Sequence, residues 1–324
     1  MLEDSFGRRF YYLRLSITDV CNFRCNYCLP DGYKKDGQRS FLTRAEISNL
    51  VSAFAAAGTQ KIRITGGEPA LRRDLIDIIA DIKAITGIHT VAMTTNGYQL
   101  QKLLPGLEAA GLDQLNVSID SLDPQVFRSI TGHDRLNQIL AALQQAQQSR
   151  IKEIKVNAVL MRDLNDRELD TFLAWIKDQN LTLRFIEVMQ TGDNAEFFNH
   201  RHISGQDLQL RLLEQGWQPM IRKQDAGPAL EYWHPDYQGR IGLIMPYSKD
   251  FCSSCNRLRV SAEGKVHLCL FGEQGYDIRK WIQHPQQQAE LINYLSVMLK
   301  DKKVSHFLQN GQSGMTRDLS MIGG

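Results

Sequence analysis

The sequence predicts an α/β fold, a partial (β/α)6 barrel of the TIM type with a smaller C-terminal extension, and three observations predict it. Strand-like and helix-like stretches alternate six times at spacings of roughly 30 residues, the pattern of parallel strands joined by crossover helices. Residues unusual for strands collect just after them: the run 21–28, Gly66-Gly67-Glu68-Pro69, Thr94-Thr95-Asn96-Gly97, Ser118-Ile119-Asp120-Ser121, Asn157 and Glu187-Val188-Met189. An open doubly wound sheet would satisfy the alternation equally well, but residues gathered at one rim are how a barrel builds a site. The rhythm breaks near Asn194, which divides the chain into a barrel over 1–193 and a C-terminal region over 194–324.

Tyr11 to Ile17 is a run of mostly β-forming residues that delivers the chain into the run 21–28. Thr43-Arg-Ala-Glu46 is a capping-box pattern ahead of an Ala/Leu/Phe-rich helix that stops at Gly58. A strand over 61–65 leads into Gly66-Gly67-Glu68-Pro69 and a helix to about residue 85. Strands over 91–95, 114–119, 153–160 and 182–188 follow, with helices near 99–110, 137–148 and 166–178 between them. Beyond Asn194, residues 197–202 read as an irregular exposed crossing and 205–215 as a short helix. Residues 217–244 read as short strands with turns at Gly227-Pro228 and Gln238-Gly239.

With 43% hydrophobic and 23% charged residues in 324, the composition is that of a soluble globular protein. A net charge of +2 argues against a basic nucleic-acid surface, so any anion site must be a local convergence of Lys and Arg. The amino terminus has no apolar run of signal-peptide length and no segment approaches a membrane span, so a cytoplasmic location without a membrane partner is expected. All six cysteines fall into two triads, and in a reducing compartment that pattern favours metal over disulfides.

The first triad, Cys21, Cys25 and Cys28, has the spacing C-x3-C-x2-C. Thiolates are soft ligands that select Fe–S clusters, Zn or Cu(I). A [4Fe–4S] cube normally takes four of them, so three leave one iron open to a small molecule. The plainer alternative, a structural zinc loop, usually has four ligands in two pairs. The second triad is Cys252-Ser-Ser-Cys255 with Cys269 further on. It reads either as a second cluster with an open iron or as a zinc site completed by His267. Between its cysteines lies Arg257-Leu258-Arg259, and strand alternation would point both arginines to one side as an anion site. In Gly66-Gly67-Glu68-Pro69 the glycines would let backbone approach a ligand closely, while the Glu68 carboxylate would accept from an ammonium.

Cys21/25/28 with Gly66-Gly67-Glu68-Pro69, the pattern Cys252-x2-Cys255-Asn-Arg-Leu-Arg-x9-Cys269 and the terminal Gly323-Gly324 resemble, over essentially the whole chain, the MoaA family. These are GTP 3′,8-cyclases, radical S-adenosylmethionine (SAM) enzymes of molybdenum cofactor biosynthesis. The resemblance implies a partial barrel of the radical SAM type, two [4Fe–4S] clusters and SAM, with a deoxyadenosyl radical taking hydrogen from C3′ of GTP before C3′ joins C8. It assigns the clusters to Cys21, Cys25, Cys28, Cys252, Cys255 and Cys269, and SAM contacts to Tyr27, Gly67, Glu68, Ser118 and Met189. It assigns GTP to Arg14, Arg63, Thr94, Lys155, Arg257, Leu258 and Arg259, and brings the tail with Gly323, Gly324 and Arg317 into the pocket. It further implies an electron donor of flavodoxin or ferredoxin type, a functional link to cyclic pyranopterin monophosphate synthase, and a homodimer. A radical SAM peptide-modifying enzyme with an auxiliary cluster is the enzymatic alternative, and a zinc or Fe–S scaffold that binds a partner protein the non-enzymatic one.

Overall fold

Five of the six expected strands carry one repeated triplet, a polar residue between two apolar ones: Leu13-Arg14-Leu15, Ile62-Arg63-Ile64, Leu115-Asn116-Val117, Ile154-Lys155-Val156 and Leu183-Arg184-Phe185. The structure, a computed structural model, describes residues 1–34, 39–192, 194–221, 226–272, 275–311 and 322. In it these triplets lie on β1 (Tyr12–Ser16), β2 (Lys61–Thr65), β4 (Gln114–Ser118), β5 (Glu153–Leu160) and β6 (Thr182–Glu187), with β3 (Thr90–Thr95) between the second and third of them. All six are parallel neighbours in register, Arg14 beside Arg63 and Asn116 beside Lys155. Successive side chains alternate between the faces of a sheet. The apolar members of each triplet are therefore buried under the helices, each full burial contributing about 1.5–3 kcal/mol. The polar members turn together into the hollow of the curved sheet.

The C-terminal region completes the sheet instead of forming a separate layer. Its strands are β7 (Gln218–Pro219), β8 (Leu230–Trp233), β9 (Arg240–Ile244), β10 (Arg257–Val260), β11 (Lys265–His267) and β12 (Tyr276–Asp277). The order across the twelve strands is β12-β11-β10-β1-β2-β3-β4-β5-β6-β9-β8-β7. Parallel β10 pairs with β1, placing Arg259 beside Arg14, and parallel β9 pairs with β6. Both edges of the six-stranded core, which would otherwise present unpaired backbone groups, are thus covered by chain from beyond residue 217. The sheet remains open, a partial TIM-type barrel.

The capping box forms as expected: Thr43 Oγ1 accepts from the Glu46 amide and Glu46 Oε2 accepts from the Thr43 amide at the start of helix Arg44–Ala56. Two helices differ from the sequence reading. Residues 197–202, expected to be irregular, lie largely within a helix over Ala195–Arg201. It has no side-chain cap and only seven residues, too short for its periodicity to be visible. A helix over Pro124–Thr131, not foreseen, starts from Asp123, whose Oδ1 accepts from the amides of Gln125 and Val126. Gly66-Gly67-Glu68-Pro69 leads first into a single 3-10 turn, Pro69–Leu71, and the helix follows at Leu75–Ala84. No helix among the described residues is long and apolar enough to cross a membrane.

Candidate functional site

The loop after β1 carries the first triad across the rim of the barrel, and the glycines after β2 hold it there. A Cβ on Gly66 would meet Thr18 O at 2.2 Å, and one on Gly67 would meet Val20 O at 2.4 Å. Gly66 also sits at φ +149°, a region that glycine favours. The Gly67 amide donates to Thr18 O and the Glu68 amide to Val20 O. The close approach these glycines permit is thus to the cysteine loop's own backbone. The unforeseen helix anchors the loop from the other side, with the Arg24 amide on Thr131 O and the Asn26 amide on Ile130 O. Phe23 stacks on His133 at 4.6 Å, and His133 Nε2 lies 2.8 Å from Asn22 O.

Cys21, Cys25 and Cys28 line a cavity of about 160 Å³ with Tyr27, Gly67, Thr94, Ser118, Asp120 and Met189. Four of the five residues assigned to SAM therefore meet at one place. Glu68 does not reach that wall: it is buried beneath it, its carboxylate accepting from the Ala70 amide, the Thr95 hydroxyl and the Asn96 amide. Burial raises its pKa to about 7 against those three donors. Tyr27 donates its hydroxyl to Asp120 Oδ2 at 3.0 Å, while Asp120 Oδ1 accepts from the Val159 amide. Burial lifts Asp120 to about 6. It also pushes the Cys21 thiol up to about 11, and Cys25 up as well, with acidic neighbours adding to both.

A larger cavity of about 610 Å³ fills the hollow and shares Asn157, Ile186 and Met189 with the smaller one. Cys252, Cys255 and Cys269 line it, as do Arg14, Arg63, Lys155, Arg257 and Arg259. The expectation that Arg257 and Arg259 share a face holds. Leu258 lies between them on β10 with its side chain buried in the apolar core on the other face. Thr94 lines the smaller cavity and accepts a long hydrogen bond, 3.4 Å, from Arg63 Nη1.

Crowded cations shift one another here. Burial and the guanidiniums of Arg63 and Arg257 pull Arg14 down to about 10 despite Tyr12, and burial with Arg14 and Arg257 pulls Arg259 well below its ordinary value. Burial alone would raise the Tyr12 phenol, but Arg63, Arg14 and Lys61 outweigh it and bring it to about 7. Cys255 behaves alike: Arg257, Lys302 and Arg8 overcome burial and bring it to about 7. Among the described residues, buried Arg257 Nη1 and Arg184 Nε have no hydrogen-bond partner. A cavity with this lining suits a polyanion.

Sequence reasoning missed Lys61 and Arg184, which line the large cavity from β2 and β6; each lies on the inward face of a strand already assigned, so alternation was the available signal. Arg8 and His306 had none. Arg8 donates to Cys252 O at 3.1 Å, to Val304 O at 2.8 Å and to Lys303 O at 2.7 Å, tying the second triad to both ends of the chain. His306 lines the large cavity, its Nδ1 accepting from the Leu308 amide. His267 is not on that wall; its ring lies against Gly275, where a Cβ would sit 2.6 Å from Nε2. Gly323, Gly324 and Arg317 lie outside the described residues. Ile322 is buried with Leu270, Phe271 and Leu308 against Cys28, Met189 and Cys269, and Arg259 Nη1 donates to its carbonyl at 3.1 Å.

Both triads offer thiols as their donors, and no disulfide joins any of the six cysteines. Among the described residues no three His, Cys, Asp or Glu side chains form a site for a single metal ion. A [4Fe–4S] cube takes its thiolates on separate irons, so three cysteines around one cavity are a donor set that fits it.

Residues 15–176 match the radical SAM superfamily and residues 181–308 match the molybdenum cofactor synthesis C family. The chain is 55% identical over 323 residues to the GTP 3′,8-cyclase of Yersinia pestis, covering 100% of this chain and 99% of that one. It is 53% identical over 324 residues to the GTP 3′,8-cyclase of Vibrio vulnificus strain CMCP6, covering 99% and 97%. Among solved structures, Streptococcus suis SuiB bound to S-adenosylmethionine is similar in fold, with a TM-score of 0.65 at 11% identity over 90% of this chain and 68% of that one. Native anSMEcpe with bound AdoMet and a peptide has a TM-score of 0.51 at 16% identity over 64% and 59%.

Proposed function

The chain belongs to the GTP 3′,8-cyclase family of radical SAM enzymes, and from that membership we propose how it converts GTP to (8S)-3′,8-cyclo-7,8-dihydroguanosine 5′-triphosphate, the first step of molybdenum cofactor biosynthesis. The observation that carries the reading is the junction of the two cavities. A thiol triad faces each, they share Asn157, Ile186 and Met189, and the larger is lined by cations from β1, β2, β5, β6 and β10.

Cys21, Cys25 and Cys28 would hold a [4Fe–4S] cluster with SAM against Gly67, Tyr27, Ser118 and Met189, and Cys252, Cys255 and Cys269 a second cluster. When bound, the first cluster and SAM would supply radical chemistry directed at C3′ of the ribose, driven by an electron donor of flavodoxin or ferredoxin type outside the protein. Arg14, Lys61, Arg63, Lys155, Arg184, Arg257 and Arg259 bind and orient the nucleotide. A triphosphate carries about four negative charges near neutral pH, and each charge-assisted hydrogen bond to it is worth about 1.5–3 kcal/mol. Met189 and Ile186 stand at the junction and exclude water from the space where a carbon radical would be exposed. Arg259, through the Ile322 carbonyl, holds Ile322 against the same junction.

The test uses anaerobically reconstituted protein with SAM, a strong reductant and GTP deuterated at C3′. Deuterium in the released 5′-deoxyadenosine is the expected result. Unlabelled 5′-deoxyadenosine, in a yield indifferent to GTP, would sink the assignment.

A further inference from the structure

Two of the cations facing the large cavity already hold an acid between them. Glu231, on β8, accepts from Lys155 Nζ at 3.0 Å and from Arg184 Nη2 at 2.9 Å, both on the same oxygen, Oε1. The two cationic side chains are each 7% exposed and that of Glu231 is 23% exposed. An oxygen bridging a lysine and an arginine in a half-dry cavity occupies the position a phosphate oxygen takes in a nucleotide site. The reason for an acid there is electrostatic. Lys155 and Arg184 lie in a wall that also carries Arg14, Lys61 and Arg63, and buried cations without a counter-ion are costly. Lys155 Nζ also lies 2.8 Å from Glu153 Oε1, so two carboxylates already crowd this lysine. A phosphate arriving beside them is repelled by both, and that repulsion favours displacing Glu231, the acid that bridges to Arg184.

We propose that Glu231 is a built-in stand-in for a phosphate group, holding Lys155 and Arg184 while the cavity lacks nucleotide and releasing both when the triphosphate arrives. The inference rests on reading the large cavity as the GTP site, and it adds a residue that sets affinity according to phosphate number. Its carrier is suited to moving. β8 is a four-residue strand near the end of the sheet, held by β9 on one side and only the two-residue β7 on the other. Arg184 keeps a further donor in reserve, since its buried Nε has no hydrogen-bond partner among the described residues.

The experiment compares cluster-loaded wild-type protein and Glu231→Gln in equilibrium binding of GTP, GDP, GMP and guanosine. Removing the competing charge is expected to tighten GTP about tenfold, GDP and GMP progressively less, and to leave guanosine unchanged. Wild-type protein that prefers GTP to guanosine while the variant binds GTP no more tightly overturns the exchange and leaves the GTP site standing. Wild-type protein that binds guanosine as tightly as GTP overturns both. A second measurement needs no variant: in a wild-type structure with GTP bound, Lys155 and Arg184 are expected on phosphate oxygens with Glu231 beyond hydrogen-bond distance of each. Persistence of both pairs beside a bound triphosphate overturns the proposal.

Discussion

The two cysteine triads use the same ligand chemistry, but Cys255 of the second stands in surroundings opposite to those of Cys21 and Cys25 in the first, while burial raises Cys252 as it raises those two. Around Cys21 and Cys25 the charged neighbours are acids, Glu68 and Asp120 respectively, and they add to burial in pushing the thiols up. Around Cys255 the neighbours are Arg257, Lys302 and Arg8, and they overcome burial to bring the thiol to about 7. The first triad opens on the small cavity and the second on the cation-lined one. These signs match the proposed ligands, a cofactor that carries sulfonium and ammonium groups and a substrate that carries a triphosphate. The mechanical support differs too. Backbone contacts from Gly67, Glu68 and the helix over Pro124–Thr131 fasten the first loop within the barrel, whereas the second triad is tied through Arg8 and Lys302 to the chain's two ends. Spacing names the ligands; the neighbours set what each site attracts.

The largest effect that separates the two sites should come from removing one thiol from each. Cys25→Ala is expected to lose roughly half of about eight irons and to abolish release of 5′-deoxyadenosine. Cys255→Ala should lose a similar share yet still cleave SAM, without forming the cyclic product. Equal loss of SAM cleavage in both variants would erase the distinction.

A smaller effect should follow from Gly67→Ala, because the new Cβ would meet only rigid backbone at 2.4–2.6 Å. Strain of about 1–3 kcal/mol should fall on the first loop and deplete iron there while the second site keeps its own. Gly272→Ala, beside the second triad, meets nothing closer than 3.4 Å among the described residues and should be near neutral. Iron analysis with chemical denaturation checks both; depletion at the second site by Gly67→Ala would contradict separate mechanical support.

The smallest effect concerns how the C-terminal chain docks on the barrel. Burial would raise Glu46, but Arg279, with hydrogen bonds from Thr43 and Gln283, brings it from 4.5 to about 2. A carboxyl depressed on folding contributes stability that is present above its unfolded pKa and lost as pH falls through the folded one. Glu46→Gln should therefore lower the thermal midpoint at pH 7, and the gap to wild type should narrow between pH 4.5 and 2. A gap independent of pH would assign the contact to packing.

The six parallel strands were legible because burying one face of each imposes a period of two, and the helices between them because crossovers need that length. The cysteine triads and Gly66-Gly67 were legible because few other roles need those residues so close together. Lys61 and Arg184 were within reach of the same alternation, each on the inward face of a strand already assigned. Glu231, His306 and Arg8 were not, since nothing local distinguishes a glutamate on a short strand from a surface charge until β8 is known to pair with β9, from where the Glu231 side chain reaches Lys155 on β5 and Arg184 on β6.

The sequence by itself thus determined the element types, the donor sets and which side chains share a face, all consequences of short-range covalent geometry. Only the tertiary structure decided that the polar face of Arg14, Arg63, Lys155 and Arg184 turns into an enclosed hollow and away from bulk water. That outcome depends on β9 and β10 returning from the far end of the chain to cover both edges of the sheet. The pairing is non-local, set by curvature and edge satisfaction over more than 200 residues between β1 and β10, and no window of sequence contains it.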